Sequence, residues 1–79
     1  MTIIVKYFGN IAEKTNCHHE AIEMEAEMSI EAFHKGLKKR YPALERSTYR
    51  ISYNQAMITG SEIVQDGAEI ALLPPFAGG

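Results

Sequence analysis

With 79 residues there is room for one small domain and one modest core. A hydrophobic content of 46% and a charged content of 23% are ordinary for a folded chain and argue against disorder. A formal charge of -2 argues against nucleic acid as the main partner, because Lys35, Lys38, Lys39, Arg40, Arg46 and Arg50 are matched by a similar number of acids.

A single cysteine, Cys17, cannot close an internal disulfide, so nothing points to an oxidising compartment. The opening "MTIIVKYFGN" has no basic n-region and too short an apolar run for a signal peptide, and no stretch is long enough to span a membrane. The expectation is a cytoplasmic single domain.

Residues 2–8, "TIIVKYF", are β-branched and aromatic and predict a strand. Ile3, Val5 and Tyr7 share one face; Ile4, Lys6 and Phe8 share the other. Gly9 breaks the strand. Asn10 followed by Glu13 has the spacing of a capping box and predicts a short helical turn over 11–15. In "AIEMEAEM", Ile22, Met24, Ala26 and Met28 alternate with Glu23, Glu25 and Glu27, which predicts a half-buried strand with an acidic, solvated face. Ser29 is placed to cap a helix. Ile30, Phe33 and Leu37 repeat at helical spacing, Glu31 sits in the first turn, and Lys38, Lys39 and Arg40 sit in the last. Pro42 ends that helix, and Gly36 inside it costs about 1 kcal/mol relative to alanine. A linker over 43–49 leads to "RISYNQAMI", a strand with Ile51 and Tyr53 inward. Gly60-Ser61 and Asp66-Gly67 mark turns, and "AEIALL" at 68–73 is the last strand. One amphipathic helix must bury its stripe on one sheet face, so the residues alone predict an α+β roll with a single sheet.

A conventional active site is hard to find. Cys17-His18-His19 tempts as a metal cluster, but zinc prefers spaced ligands, and neighbouring strand residues point to opposite faces. His34 reads as a surface residue beside Phe33. The carboxylates at 20, 23, 25 and 27 form a strand face rather than a pocket pair, and no nucleophile triad, phosphate loop or glycine fingerprint occurs.

The chemistry instead gathers in "PPFAGG". Pro74 and Pro75 lack amide donors, so the sheet ladder cannot pass Leu73, and two prolines favour an extended course. Phe76, Ala77, Gly78 and Gly79 could then reach about 13 Å beyond them. Gly78 and Gly79 carry no Cβ, which lets their backbone enter a slot too narrow for other residues. An ordinary frayed tail needs none of this. The alternative open at this point is a chance Gly-Gly terminus.

The opening "IIVKYFGNIAE", the capped "SIEAFHKGLKKRYP", Tyr53-Asn54-Gln55 and the closing "DGAEIALLPPFAGG" resemble one family over the whole length. The chain is similar to the small, sulfur-carrying subunits of molybdopterin synthase, in the MoaD/ThiS branch of ubiquitin-like β-grasp proteins. The Pro-Pro pair, an apolar residue, a small residue and Gly-Gly look more like the molybdopterin branch than the thiazole branch. The resemblance implies a β-grasp domain over 1–73, one mixed sheet packed on one main helix, and an extended tail over 74–79. It implies that an ATP-dependent activating enzyme adenylates Gly79 and that a persulfide donor converts its carboxylate to a thiocarboxylate. Pro74, Pro75, Phe76, Ala77 and Gly78 would insert into a large catalytic subunit, where sulfur passes to cyclic pyranopterin monophosphate. No cofactor is bound permanently. Two small and two large subunits are implied as the assembly. Docking would use the sheet face that the helix leaves open, through Ile4, Phe8 and Leu73, with Met57 or Ile58 adjoining. Phe76 departs from the smaller aliphatic common there and needs a roomier channel. Competing readings are a carrier or modifier for another acceptor (thiazole, tRNA or protein) and an interaction module offering "LLPPF" as a polyproline ligand.

Overall fold

The computed structural model describes residues 1–75. Strand β1 (Thr2–Tyr7) is followed by helix α1 (Asn10–Thr15), β2 (His19–Glu23), β3 (Met28–Ser29) and α2 (Ile30–Arg40). A 3-10 turn over Pro42–Arg46 leads to β4 (Arg50–Tyr53), β5 (Ala56–Met57), β6 (Ile63–Val64) and β7 (Glu69–Leu73). Five strands form one mixed sheet in the order β2-β1-β7-β4-β5, and β3 and β6 pair apart from it as a small ribbon. β1 runs parallel to β7 at the centre and antiparallel to β2, while β4 runs antiparallel to both β7 and β5. With α2 crossing one face, this is the ubiquitin-like β-grasp fold.

Period-2 alternation decides what is buried. Ile3, Val5 and Tyr7 of β1, Ile70 and Leu72 of β7, and Ile51 of β4 point to one side. There they meet Ile30, Phe33 and Leu37, the stripe of α2. Ser29 caps α2 as expected, its hydroxyl accepting from the Ala32 amide at 3.1 Å. The helix stops at Arg40, two residues before Pro42.

Four expectations need correction. Residues 24–27 are not strand: β2 ends at Glu23, and the chain bends through Glu25-Ala26 before β3. The 43–49 linker is largely the 3-10 turn that Pro42 opens, with Leu44 buried beneath it. The capping box does not form, because Gly9 is the N-cap of α1 and Asn10 is already helical. The β3–β6 ribbon adds a second pairing that a single sheet did not include. The Tyr53-Asn54-Gln55 stretch makes the β4–β5 turn, with positive φ at Asn54 and Gln55. Asn54 also accepts from the Glu69 amide at 2.9 Å and donates to the Glu69 carbonyl at 2.8 Å, pinning the turn to β7.

Candidate functional site: the open sheet face and the root of the tail

Register places the open face residue by residue. Ile4, Lys6 and then Phe8 follow the outward side of β1; Glu69, Ala71 and Leu73 follow that of β7. Leu73 lies opposite Arg50 and Ala71 opposite Ser52, and Ser52 in turn lies opposite Met57. Phe8 is 44% and Met57 51% exposed, so two large apolar side chains stand in water on this face. Ile4 and Leu73 are half-buried beside them. Ala71 and Ser52 are buried although they face away from the core, because both are small and sit among taller neighbours. Four of the five docking candidates, Ile4, Phe8, Leu73 and Met57, therefore share one surface.

Ile58 does not. It follows Met57 with the opposite orientation and packs, half-buried, against the core cluster. Strand alternation separates the two, so Ile58 leaves the docking set.

Charged groups frame this face. Lys6 Nζ and Glu69 Oε2 pair at 3.3 Å, bridging β1 and β7. The pair is solvated and contributes at most about 1 kcal/mol. Arg50 stands beside Leu73, and His19 lies opposite Lys6. Arg50 was not singled out from sequence. The signal was its place two residues before Ser52 on an alternating strand, but the register with Leu73 needed the fold.

The tail root is built where β1 and β7 end together. The Phe8 amide donates to the Leu72 carbonyl at 3.1 Å, which carries the ladder to the last residue of the pair. Gly9 then turns away with φ 56° and ψ -135°. The Pro74 ring packs over it: a Cβ on Gly9 would lie 2.8 Å from Pro74 Cγ. Pro74 is buried and Pro75 half-buried in a turn, so the first tail proline is held by the body. The missing amide of Pro74 still ends the ladder, as its chemistry requires. Phe76, Ala77, Gly78 and Gly79 lie outside the described residues. Gly9, which breaks the strand, is thus also the seat of Pro74.

The tempting cysteine–histidine cluster dissolves into a different arrangement. Glu20, on the core side of β2, accepts from the Tyr7 hydroxyl at 2.7 Å, from the Tyr41 hydroxyl, and from Arg40 at 2.9 Å. Cys17 Sγ approaches the same carboxylate at 3.8 Å. Burial alone would push the Glu20 carboxyl up, but donation from Tyr41, Tyr7 and Arg40 outweighs it and holds Glu20 below the usual carboxylate range. Burial, then the bond to Glu20, pushes the Tyr7 hydroxyl well above its ordinary value. Among the described residues no group of three or more His, Cys, Asp or Glu is placed to hold a metal ion. His34, expected at the surface, is half-buried with its ring nitrogen on the Tyr49 hydroxyl. Among the described residues no helix is long and apolar enough to cross a membrane.

An apolar face continuous with an anchored strand end suits a delivery protein. A profile of the ThiS family matches residues 5–79. The chain belongs to the ThiS family. It is a ubiquitin-like sulfur carrier of the ThiS/MoaD type. Solved structures agree on the ThiS-type fold. A Pyrococcus furiosus protein that carries the name molybdopterin converting factor subunit 1 superposes with a TM-score of 0.86 at 20% identity, over 95% of this chain and 98% of that one. SAMP1 from Haloferax volcanii gives 0.82 at 22% identity, over 100% of both chains. A chain from the complex of subunits 1 and 2 of molybdopterin-converting factor from Helicobacter pylori gives 0.70 at 24% identity, over 100% of both.

Proposed function

We propose that this chain is the sulfur-carrying subunit of a molybdopterin synthase. The observation that carries the reading is the Pro-Pro-Phe-Ala-Gly-Gly sequence, which leaves directly from a strand end set beside exposed Phe8 and Met57. An ATP-dependent activating enzyme converts the Gly79 carboxylate to an acyl adenylate, because a carboxylate oxygen is a poor leaving group and AMP is a good one. The outer sulfur of a persulfide donor then displaces AMP to give an acyl disulfide. A thiol attacks the donor's sulfur, forming a disulfide with it and releasing a thiocarboxylate whose sulfur is polarizable and nucleophilic, as in thiolates. Pro74 and Pro75 set the course, and Phe76, Ala77 and Gly78 carry the thiocarboxylate into the large catalytic subunit. Cyclic pyranopterin monophosphate receives the sulfur, and two carriers serve each dithiolene. The acid and base groups belong to the large subunit, and this chain holds no cofactor of its own. The Helicobacter pylori relative, solved with its second subunit, supports a large-subunit partner.

The likeness to SAMP1, a small archaeal modifier protein, favours a second reading in which the activated Gly79 serves another acceptor or is joined to protein.

Incubation with ATP, the activating enzyme and a sulfur source is expected to exchange one oxygen for sulfur at Gly79, read by intact mass. The thiolated chain, mixed with the large subunit and the pterin precursor, is expected to yield molybdopterin. Thiolation with transfer only to another acceptor selects the second reading. No exchange at Gly79, or full transfer by a variant carrying an uncleaved extra residue after Gly79, sinks both.

A further inference from the structure

Two features of the sequence remain outside the carrier reading: the acidic run Glu23-Met24-Glu25-Ala26-Glu27 and the glycine inside α2. The fold brings them together. Where the chain leaves β2 and bends toward β3, it encloses with α2 a groove of about 520 Å³. Ile22, Met24, Met28 and Phe33 line it with apolar surface, and Gly36 lies along it. Glycine is the poorest helix former after proline, yet a Cβ at Gly36 would meet nothing within 4 Å. No packing contact demands the glycine. Its effect is to keep the groove open.

The groove adjoins a free strand edge. β2 is the outermost strand of the sheet on this side. The Tyr7 amide donates to the His18 carbonyl, and the Met24 amide to the Met1 carbonyl. Antiparallel alternation between those two bonds points the amides of His19, Ala21 and Glu23 away from β1. Backbone donors on an open edge beside an apolar groove are the geometry by which an extended peptide adds as a further strand. Glu23, Glu25 and Glu27 surround the groove, and Arg40, the cation on its wall, is already bound to Glu20 at 2.9 Å.

We propose that the groove between β2 and α2 binds an extended, basic segment of a partner protein, which pairs with the β2 edge and lays an apolar side chain over Gly36. A second copy of the chain fits poorly, because its own β2 edge, His19–Glu23, would bring two further carboxylates and no lysine or arginine to the acidic groove. The groove lies by the start of β1, where Glu23 pairs with Thr2. The tail root lies past the other end of that six-residue strand, about 20 Å away at ~3.4 Å per residue. A partner seated here leaves the open sheet face and the Gly9–Pro74 contact at the tail root uncovered.

The probe is a short synthetic peptide alternating lysine and leucine, with a glutamate–leucine peptide as control, titrated into isotope-labelled full-length protein. Amide shifts are expected over residues 22–28 and along α2 near Gly36, with slowed solvent exchange at Ala21 and Glu23. Gly36→Leu fills the groove and is expected to weaken binding at least about tenfold without lowering the thermal midpoint. Glu25→Lys is expected to weaken it as well. The proposal is overturned by no binding, by equal binding of the glutamate peptide, or by undiminished affinity in Gly36→Leu. Shifts centred on Phe8, Met57 and Leu73 overturn it too, as does self-association that maps to the β2 edge.

Discussion

A methyl group added at Gly9 has nowhere to go. The residue combines a positive φ with an extended ψ, a region that residues with a Cβ avoid, and Pro74 Cγ occupies the space the Cβ would take at 2.8 Å. Backbone strain of this kind costs about 1–3 kcal/mol. Gly9→Ala is therefore expected to lower stability by about 2 kcal/mol, which for a domain this small is a drop in Tm on the order of 10 °C. Trimming the ring in the Gly9→Ala, Pro74→Ala double variant relieves the contact but not the dihedral, so the double variant should lose less than the sum of the singles. Additive losses would show that ring and glycine do not meet. The sequence marked Gly9 as a strand breaker and Pro74 as the end of a ladder. That the two touch depends on β1 and β7 being parallel neighbours, a pairing across more than sixty positions that no local pattern encodes.

Beyond the backbone ladders, side-chain hydrogen bonds tie elements to one another, and the Glu20 clamp joins three of them. It ties β2 to Tyr7 of β1 and to Arg40 and Tyr41 at the end of α2. Because the carboxyl titrates below its ordinary value in the folded chain, its contribution is fully present above the unfolded carboxylate range. It is lost as pH falls through the lowered folded value. Glu20→Gln is expected to lower stability at neutral pH and to flatten the acid side of the stability curve. Denaturant midpoints for both proteins between neutral and acid pH check this, and a variant curve parallel to the parent throughout would remove Glu20 from the acid response. Elements were legible wherever one local rule ruled: the Ser29 cap and helical stripe of α2, and the alternation of β1. The 24–27 stretch kept perfect alternation and still left the sheet: its ladder to β1 ends with the Met24 amide on the Met1 carbonyl, and the chain then bends at Glu25-Ala26 toward the pairing of β3 with β6. Period alone cannot see where a partner strand runs out.

At the scale of the molecule, the two-layer build of the described residues leaves one sheet face without a second helix, and that is where Phe8 and Met57 stand exposed. Alternation along β1 and β7 made most of this face readable in the sequence. Ile58 and Arg50 were misplaced or missed because the two-residue β5 and the β4–β7 register are set by tertiary pairing. If this face seats the large subunit, Phe8 contributes through burial worth about 1.5–3 kcal/mol, and a lysine in its place would also bring an ammonium group into the apolar contact. Phe8→Lys is thus expected to weaken assembly with the large subunit by about tenfold or more. It should leave Tm close to the parent, since the side chain is already 44% exposed in the free domain. Thiolation at Gly79 before assembly should proceed if activation does not use Phe8. Calorimetric titration against the large subunit, thermal unfolding and intact mass separate these outcomes. Unfolding of Phe8→Lys would mean that the β1 faces are reversed. Unchanged affinity with an intact fold would move the docking surface elsewhere, while loss of thiolation together with assembly would mean that both partners read the same face in turn.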